Sequence, residues 1–451
     1  MRATTFVSCI YGELRGYRRL RIRREADANA RLERDRLELL TNELFERRVR
    51  DALARFPMYA DKVRAYRGKL PGADEPIVAA ELPNWTRHDQ RALFDQQPTP
   101  DDSAYVHRTS GSTGLPVTFH VTRESYEWRT AVTERGYRWS GAEEGSKTFF
   151  LWAGDQEAKP LAEHIKKLVH EKLQRRVFYD VFQKMGGREL ADCCRIINHV
   201  RPHTIVGYTS MLVELARYVR DHPDALRWRA PKLVNAAEAM QPGQRAMLQD
   251  QLVDEVFLAY GSREFMNIGM ECGRHNGYHV HTDNLLVEVI DDDGRPVTPG
   301  ERGRLVITDL RNCATPFIRY EIGDFGAVAP VSEGETCECG LPFPRLSKVD
   351  GRLMYVVYAA DGRKLTGLFV PYIMSQFKWI EGYQVVQDDP GRVTVRLLSR
   401  EELTPERTAP VAELLASKLG TDMSIHFERV DALHRRPGGK VPLVISSIKE
   451  E

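Results

Sequence analysis

Apolar and polar residues form three successive patterns along the chain. From Leu37 to Phe56 apolar residues recur every three to five positions, which predicts an amphipathic helix that Pro57 ends. From about Lys147 to Ala259 the short apolar runs TFFLW, TIVGY, KLVNAA and EVFLAY alternate with segments of helical period, such as Leu212 to Val219 and Gln244 to Leu252. This alternation predicts an α/β region with helices packed on a mostly parallel sheet.

After Asn284 the pattern becomes rich in strands. LLVEVIDDDG and GRLVITDL flank a turn at Asp293-Gly294, and past Gly351 the segments YQVVQD, RVTVRLL and SIHFERV predict strands around a helix from Pro405 to Leu419. The predicted fold class is therefore α/β. A large N-terminal α/β domain with mixed sheets and a β-rich subdomain occupies residues 1–350, and a small C-terminal α+β domain occupies residues 351–451.

Composition narrows the functional class. The 451 residues include 65 basic and 64 acidic side chains, so the formal charge of +1 provides no overall field that would attract nucleic acid or an anionic membrane. No apolar run reaches 18 residues, and we expect a soluble cytoplasmic protein whose partner is a small molecule. Seven cysteines without a secretion signal favour reduced thiols or a metal site over a disulfide framework.

The segment Arg108-Thr-Ser-Gly-Ser-Thr-Gly-Leu-Pro116 has the composition of a phosphate-binding loop. Its two glycines permit a backbone with positive φ, and its hydroxyl and N–H groups can surround a polyphosphate. It lacks the Gly-Lys-Ser/Thr ending of the P-loop, which argues against a Walker-type ATPase or kinase. Taken alone, such a run is more often a solvent-exposed loop.

Further motifs follow this loop: Ala237-Glu238, Tyr260-Gly261-Ser262-Arg263-Glu264, Arg319-Tyr-Glu-Ile-Gly-Asp324, Gly351-Arg352 and Gly439-Lys440. In this order and at these intervals the motifs resemble those of the adenylate-forming superfamily of acyl-CoA synthetases, adenylation domains and luciferases. The likeness is to the phenylacetate–coenzyme A ligase branch and its CapK-like relatives in particular. It extends over nearly the whole chain.

The resemblance implies an AMP-forming acid–CoA ligase, which activates a carboxylic acid with ATP, releases pyrophosphate and transfers the acyl group to coenzyme A. Glu264 would bind Mg²⁺, a hard cation that prefers oxygen ligands, and Asp324 would accept both ribose hydroxyls. Lys440 would bridge the incoming carboxylate and the α-phosphate as a point cation. The β- and γ-phosphates would be held by Thr109, Ser110, Gly111, Ser112, Thr113 and Gly114.

The same resemblance places Tyr260 against one face of the adenine and the segment Ala236, Ala237 and Glu238 on the other face. It also assigns ribose or phosphate contacts to Arg319 and Arg352. Gly261, Ser262 and Arg263 belong to the same nucleotide-binding motif, and Arg263 stands where the family usually has threonine. We expect the acid pocket to be lined by Tyr137, Trp139, Tyr208 and Asn235. The rings of the two tyrosines and the tryptophan favour an aromatic acid.

Two short segments supply candidate metal ligands. Cys272 and His279 follow Glu264, and Cys337 and Cys339 precede Arg352. Three sulfurs and one nitrogen form a set that tetrahedral structural Zn²⁺ accepts, although the spacing is not that of a zinc finger and buried free thiols are the alternative. Cys313 and His281 are the substitutes if one ligand is misassigned.

The hinge is the largest departure from the family pattern. The family has one or two aspartates after Gly351-Arg352, at which the small domain rotates, whereas this chain has Leu353-Met354-Tyr355. This puts the transfer to CoA in doubt and leaves three alternatives: transfer to an amine, adenylation alone, or a non-catalytic nucleotide-binding relative. Retention of Glu264, Asp324 and Lys440 argues against the last. The oligomeric state stays open, with a homodimer as one arrangement.

Overall fold

The computed structural model describes residues 18–96, 104–109, 117–142, 145–152, 169, 171–180, 187–236, 238–240, 243–330, 337–352, 356–362, 364–366, 369–374, 376–377, 379–434 and 442–448. Within these residues the predicted α/β fold class is confirmed. No described helix is both long and apolar enough to cross a membrane.

The described helices cover every segment for which the sequence predicts helical periodicity. Pro57 ends the first predicted helix but also begins the next one, because its missing N–H costs nothing in the first turn. The helices are α1 (Arg19–Asn29), α2 (Arg34–Arg55), α3 (Pro57–Arg67), α4 (Arg87–Gln96), α5 (Arg123–Trp139), α6 (Gly187–Val200), α7 (Thr209–Asp221), α8 (Gln244–Gln251), α9 (Phe369–Met374) and α10 (Pro405–Leu419).

The apolar runs of the sequence become strands, as predicted. The strands are β1 (Ala104–Arg108), β2 (Thr118–Thr122), β3 (Thr148–Trp152), β4 (Arg176–Asp180), β5 (Thr204–Tyr208), β6 (Ala230–Ala236), β7 (Val253–Ser262), β8 (Met266–Met270), β9 (Tyr278–Val280), β10 (Leu285–Ile290), β11 (Gly303–Asp309), β12 (Tyr320–Val328), β13 (Arg345–Arg352), β14 (Val356–Tyr358), β15 (Lys364–Thr366), β16 (Gly382–Asp389), β17 (Arg392–Leu398), β18 (Ser424–Arg429) and β19 (Val444–Ser446).

One sheet of eleven described strands joins the α/β region and the strand-rich region, in the order β10-β11-β12-β13-β9-β8-β7-β6-β5-β3-β4. Strand β7 is shared by both halves. Its first part pairs with β6 in parallel, and its last part, Ala259 to Ser262, pairs with β8 antiparallel. The segment from Tyr260 to Glu264 therefore lies where the sheet changes from parallel to antiparallel, next to the carboxyl ends of the parallel strands, where α/β sheets commonly bind ligands.

The C-terminal strands form a separate four-stranded sheet, in the order β18-β17-β16-β19. Helix α10 packs on it through Val411, Leu415 and Leu419, and the buried core built on this sheet draws only on residues between Val357 and Val444. The predicted boundary at residue 350 stays a prediction, although the C-terminal unit has its own core.

Candidate active site and metal centre

The hairpin of β1 and β2 holds the base of the predicted phosphate loop. The backbone N–H of Thr109 donates to the Val117 carbonyl at 2.9 Å, and the Val117 N–H donates to Thr109 Oγ1, also at 2.9 Å. Thr109 is buried. The Thr109 hydroxyl thus braces the two ends of the loop; Ser110, Gly111, Ser112, Thr113 and Gly114 lie outside the described residues.

Glu264 lies in the turn between β7 and β8 and is 0% exposed. Neither of its carboxylate oxygens has a hydrogen-bond partner among the described residues. The guanidinium of Arg87, the first residue of α4, places Nη2 at 3.6 Å from Oε1. A buried carboxylate without donors carries a desolvation cost of several kcal/mol, so these oxygens fit a bound cation.

Arg263, the neighbour of Glu264, contacts the β1–β2 hairpin. Its Nε donates to the Arg108 carbonyl at 3.3 Å, next to the base of the loop. The β7–β8 turn and the β1–β2 hairpin are therefore in direct contact. A guanidinium and a carboxylate at the edge of a glycine-rich loop form a polar surface suited to a polyphosphate with its metal ion.

Tyr260 and Asp324 join two motifs that are 64 residues apart. The phenol of Tyr260 donates to Asp324 Oδ2 at 2.8 Å, and both side chains are buried. Asp324 also faces Arg352 across the β12–β13 ladder, so the backbones of these two motifs are neighbours. The side chain of Arg352 lies outside the described part of the chain.

The segment after β6 is organised around the first turn of α7. Both carboxylate oxygens of Glu238 accept hydrogen bonds from Ser210, one from the backbone N–H at 2.7 Å and one from the hydroxyl at 3.1 Å. Asn235 donates to Thr209 Oγ1 and to the Glu238 carbonyl, and it accepts from the Ala259 N–H. These bonds use the side chain of Asn235 as a brace, which does not support its predicted place in the acid pocket. Ala236 ends β6, and Ala237 lies outside the described residues.

Arg319, for which a nucleotide contact is predicted, is held inside the fold. Its side chain is 1% exposed, and its nitrogens contact Glu288 at 3.3 Å, the Leu82 carbonyl at 2.6 Å and the Gly294 carbonyl at 2.9 Å. Its φ of 48° is unusual for a residue other than glycine. Each nitrogen of this guanidinium has a contact within the fold, so the side chain stabilises the packing of distant segments, and its contact with ribose or phosphate stays a prediction.

The predicted acid-pocket aromatics lie in two groups. Tyr208 stacks on Trp152 with ring centroids 4.7 Å apart, at the carboxyl ends of β5 and β3. Tyr137 packs on the buried face of the parallel strands, and burial raises the pKa of its phenol. Trp139 contacts that face too, but its ring lies 4.7 Å from His281 and 5.8 Å from His279. Trp139 therefore also borders the metal-ligand cluster.

The four predicted metal ligands meet in the fold. The ligand atoms of Cys272, His279, Cys337 and Cys339 all lie within 4.8 Å of one another. Strand β9, which carries His279, pairs with both β8 and β13, and this pairing brings the two cysteine-bearing segments together. The substitutes Cys313 and His281 are outside this cluster, and His281 Nδ1 instead contacts Arg135 at 3.1 Å.

The orientation of His279 suits a metal ligand. Its Nδ1 donates to the Phe343 carbonyl at 2.9 Å, which leaves Nε2 without a proton and 3.3 Å from Cys339 Sγ. Burial lowers the pKa of His279 to about 4, so the ring is neutral at pH 7. A backbone carbonyl that fixes the tautomer is the usual outer contact of a ligating histidine. The donor set and the tautomer both fit Zn²⁺.

Sequence reasoning missed two residues of these sites, Arg87 and Phe343. Arg87 begins a helix far from every motif, and Phe343 acts through its backbone carbonyl, which any residue type carries. Phe343 follows Cys339 by only four residues, but nothing in its residue type indicates that its carbonyl contacts His279. Only the tertiary fold brings them to Glu264 and His279.

Three kinds of comparison agree with this architecture. The family model "CapK C-terminal domain" matches residues 357–447. A phenylacetate–coenzyme A ligase of Aromatoleum evansii is 26% identical over 92% of this chain and 96% of its own length, and another of Thermus thermophilus is 26% identical over 76% and 74%. Protein CapK of Staphylococcus aureus is 21% identical over 82% and 80%.

Solved structures share the fold. A 2-hydroxyisobutyryl-CoA ligase in complex with 2-HIB-AMP superposes with a TM-score of 0.73 at 18% identity, over 93% of this chain and 91% of that one. An amide bond synthetase from Marinactinospora thermotolerans superposes with a TM-score of 0.52 at 14% identity, over 75% and 67%. Over most of its length the chain is therefore similar to phenylacetate–coenzyme A ligases and to CapK, and it has the fold of the adenylate-forming CoA ligases.

Proposed function

We propose that the chain is an AMP-forming acid–coenzyme A ligase, which converts a carboxylic acid and ATP to an acyl adenylate and pyrophosphate and then transfers the acyl group to coenzyme A. The observation that carries this proposal is Glu264, a buried carboxylate without a hydrogen-bond donor among the described residues, in the turn whose Arg263 contacts the base of the predicted phosphate loop. Glu264 would hold Mg²⁺, and the ion would supply positive charge to the ATP phosphates.

The protein's own groups divide the remaining work. Thr109 to Gly114 hold the β- and γ-phosphates, while Arg263 and Arg352 contact phosphate or ribose oxygens. Tyr260 and the segment from Ala236 to Glu238 flank the adenine, and Asp324 accepts the ribose hydroxyls with an orientation fixed by Tyr260. Lys440 stabilises the charge that develops as the carboxylate attacks the α-phosphate. The C-terminal unit then rotates and removes Lys440 from the site.

The acid is proposed to be aromatic because Tyr208 stacks on Trp152 at the carboxyl ends of β5 and β3. Flat apolar rings at the mouth of a cleft favour a flat apolar substrate. A panel of aryl, arylalkyl, fatty and amino acids, assayed for pyrophosphate release with ATP, tests this choice. Release with fatty acids alone would contradict it.

A second candidate is transfer to an amine. It is motivated by the replacement of the usual hinge aspartates by Leu353-Met354-Tyr355 and by the fold shared with an amide bond synthetase. Omitting coenzyme A from the same assay and adding amines separates the two reactions. A thioester as the only product supports the ligase, and an amide as the only product supports the alternative.

We further propose that Cys272, His279, Cys337 and Cys339 hold a structural zinc ion, which would link the two segments that contribute them. Elemental analysis of freshly purified protein is expected to find about one zinc per chain. The matched variants are Cys337→Ser, which removes a ligand, and Cys313→Ser, which removes a thiol outside the cluster. Equal zinc content in both variants would contradict the assignment.

A further inference from the structure

A cavity of about 580 Å³ lies between α1, α2, the beginning of α5 and the segment 310–313. It is distant from the nucleotide site described above. Thr122, at its edge, ends β2, whereas the phosphate loop enters β2 at the other end. The five residues of β2 separate the two sites by about 16 Å at the usual rise of a strand.

Positive charge dominates the lining, which includes five arginines and three acids, an excess of two positive charges. Two of the acids are already neutralised. Asp51 pairs with Arg48 at 2.8 Å, and Glu127 pairs at 2.6 Å with Arg19, which is not in the lining. Among the described residues, no acid forms an ion pair with Arg18 or Arg47.

Arg311, another of the lining arginines, has a side chain that is only 10% exposed, and its Nη1 lies 3.6 Å from Glu25 Oε1. Its guanidinium lies 3.7 Å from the ring centroid of Trp128, and its Nε donates to the Asp283 carbonyl at 3.0 Å. Its Nη2 is shielded from solvent and has no hydrogen-bond partner among the described residues. An unpaired donor on a buried charged group is costly, so a ligand that accepts a hydrogen bond from it would be stabilised.

The start of α5 adds a second source of positive potential. This helix has 17 residues, and Thr122 caps it by accepting a hydrogen bond from the Ser125 N–H at 3.1 Å. The first turn of a helix this long has a partial positive charge that favours anions. It lines the same cavity as Arg18, Arg47 and Arg311.

We propose that this cavity, here named the arginine cavity, is a second ligand site that binds a small phosphate monoester. Guanidinium groups match a phosphate dianion with paired hydrogen bonds, and a dianion balances the excess of two positive charges. The volume lies within the range of about 300–1,000 Å³ that is typical of small-molecule pockets, so the phosphate would carry an organic group such as a sugar. This site does not depend on the proposed ligase activity.

Calorimetric titration of the full chain with ribose 5-phosphate, in the presence of saturating MgATP, tests the proposal. Uncharged ribose is the ligand control. Arg47→Gln removes an exposed arginine of the cavity, and Arg36→Gln removes an exposed arginine of the same helix, three turns earlier and outside the cavity. Because a hydrogen bond to a charged group contributes about 1.5–3 kcal/mol, we expect Arg47→Gln to weaken binding at least about tenfold and Arg36→Gln to leave it unchanged.

Arg311→Gln is expected to weaken binding further, and circular dichroism establishes whether this buried variant is folded. If Arg311→Gln does not fold, the comparison of Arg47→Gln with Arg36→Gln decides. The proposal is overturned if ribose 5-phosphate binds more weakly than about 1 mM. It is also overturned if saturating MgATP abolishes the binding, or if both exposed variants bind as the unsubstituted protein does.

Discussion

Two buried glutamates lie just outside the two ends of strand β8, and their surroundings are opposite. Glu271 is 2% exposed, and its oxygens accept two hydrogen bonds from Arg245 at 2.8 and 3.0 Å and one from the Leu258 N–H at 2.8 Å. Glu264 is 0% exposed, and neither of its oxygens accepts a hydrogen bond within the described structure. The residue type and the burial are the same.

This difference in hydrogen-bond partners suggests a structural role for the Glu271 charge and a ligand-binding role for the Glu264 charge. The desolvation cost of Glu271 is offset inside the fold, so the folded chain needs nothing more at that position. The cost of Glu264 is offset only in part by Arg87 at 3.6 Å. A bound cation would offset the remaining cost, which is why we propose Mg²⁺ binding by Glu264 and a structural role for Glu271.

The first prediction therefore concerns Glu264→Gln. The amide keeps the shape but binds Mg²⁺ poorly, and we expect kcat/KM for MgATP to fall on the order of 1,000-fold, or about 4 kcal/mol. The free energy of unfolding without ligand should not fall, because a buried charge without donors is removed. Steady-state kinetics and urea unfolding measure the two quantities. If the free energy of unfolding fell as much as the activity, Glu264 would have the structural role that we give to Glu271.

Lys440→Ala tests the charge proposed to act only during adenylation. It should lower kcat about 100- to 1,000-fold with little change in the KM for ATP, since the contact forms in the transition state. The same variant, given a preformed acyl adenylate, should complete the transfer step at the normal rate. Equal loss of both half-reactions would contradict the proposed role and the rotation of the C-terminal unit.

Glu271→Gln tests the structural role of the second buried glutamate. We expect the free energy of unfolding to fall by about 2–3 kcal/mol, because the Arg245 guanidinium loses its charged partner. This lies below the cost of breaking a fully buried pair, since the Arg245 side chain is 30% exposed. Denaturant titration measures the change. The kcat of the folded protein should stay unchanged, and a large loss of kcat would place Glu271 in the catalytic machinery.

The smallest effect is expected for Tyr260→Phe, which keeps the ring and removes the hydroxyl that donates to Asp324. One such bond contributes about 1.5–3 kcal/mol when its acceptor is charged, but Asp324 retains its other contacts, so we expect the KM for ATP to rise only about tenfold. An unchanged KM would show that Asp324 needs no orientation by Tyr260.

The sequence predicted the strands well because their apolar runs are buried in one continuous sheet, where hydrophobic pattern decides the structure. It also predicted that Cys272, His279, Cys337 and Cys339 would meet, which the fold confirms. The identity of the ion and the roles of the nucleotide-site residues stay predictions. The metal ligands could be predicted because metal binding depends on side-chain type, which the sequence gives directly.

The roles of Arg319, Glu264 and Glu271 could not be separated in this way. Arg319 lies in a nucleotide motif, but its partners are the Leu82 and Gly294 carbonyls, which no pattern identifies. Glu271 accepts hydrogen bonds from Arg245 and the Leu258 N–H, whereas Glu264 has the Arg87 guanidinium at 3.6 Å. Backbone acceptors and long-range ion pairs form after the chain has folded, and local sequence carries no signal for them.

Acid-dependent exchange between ATP and labelled pyrophosphate tests the central claim most directly, because it requires reversible formation of an acyl adenylate and does not depend on the acceptor. The account predicts Mg²⁺-dependent exchange above background with at least one acid of an aryl, arylalkyl, fatty and amino acid panel, and loss of this exchange in Glu264→Gln. If no acid supports exchange while calorimetry still detects ATP binding, the chain is a nucleotide-binding protein without ligase activity.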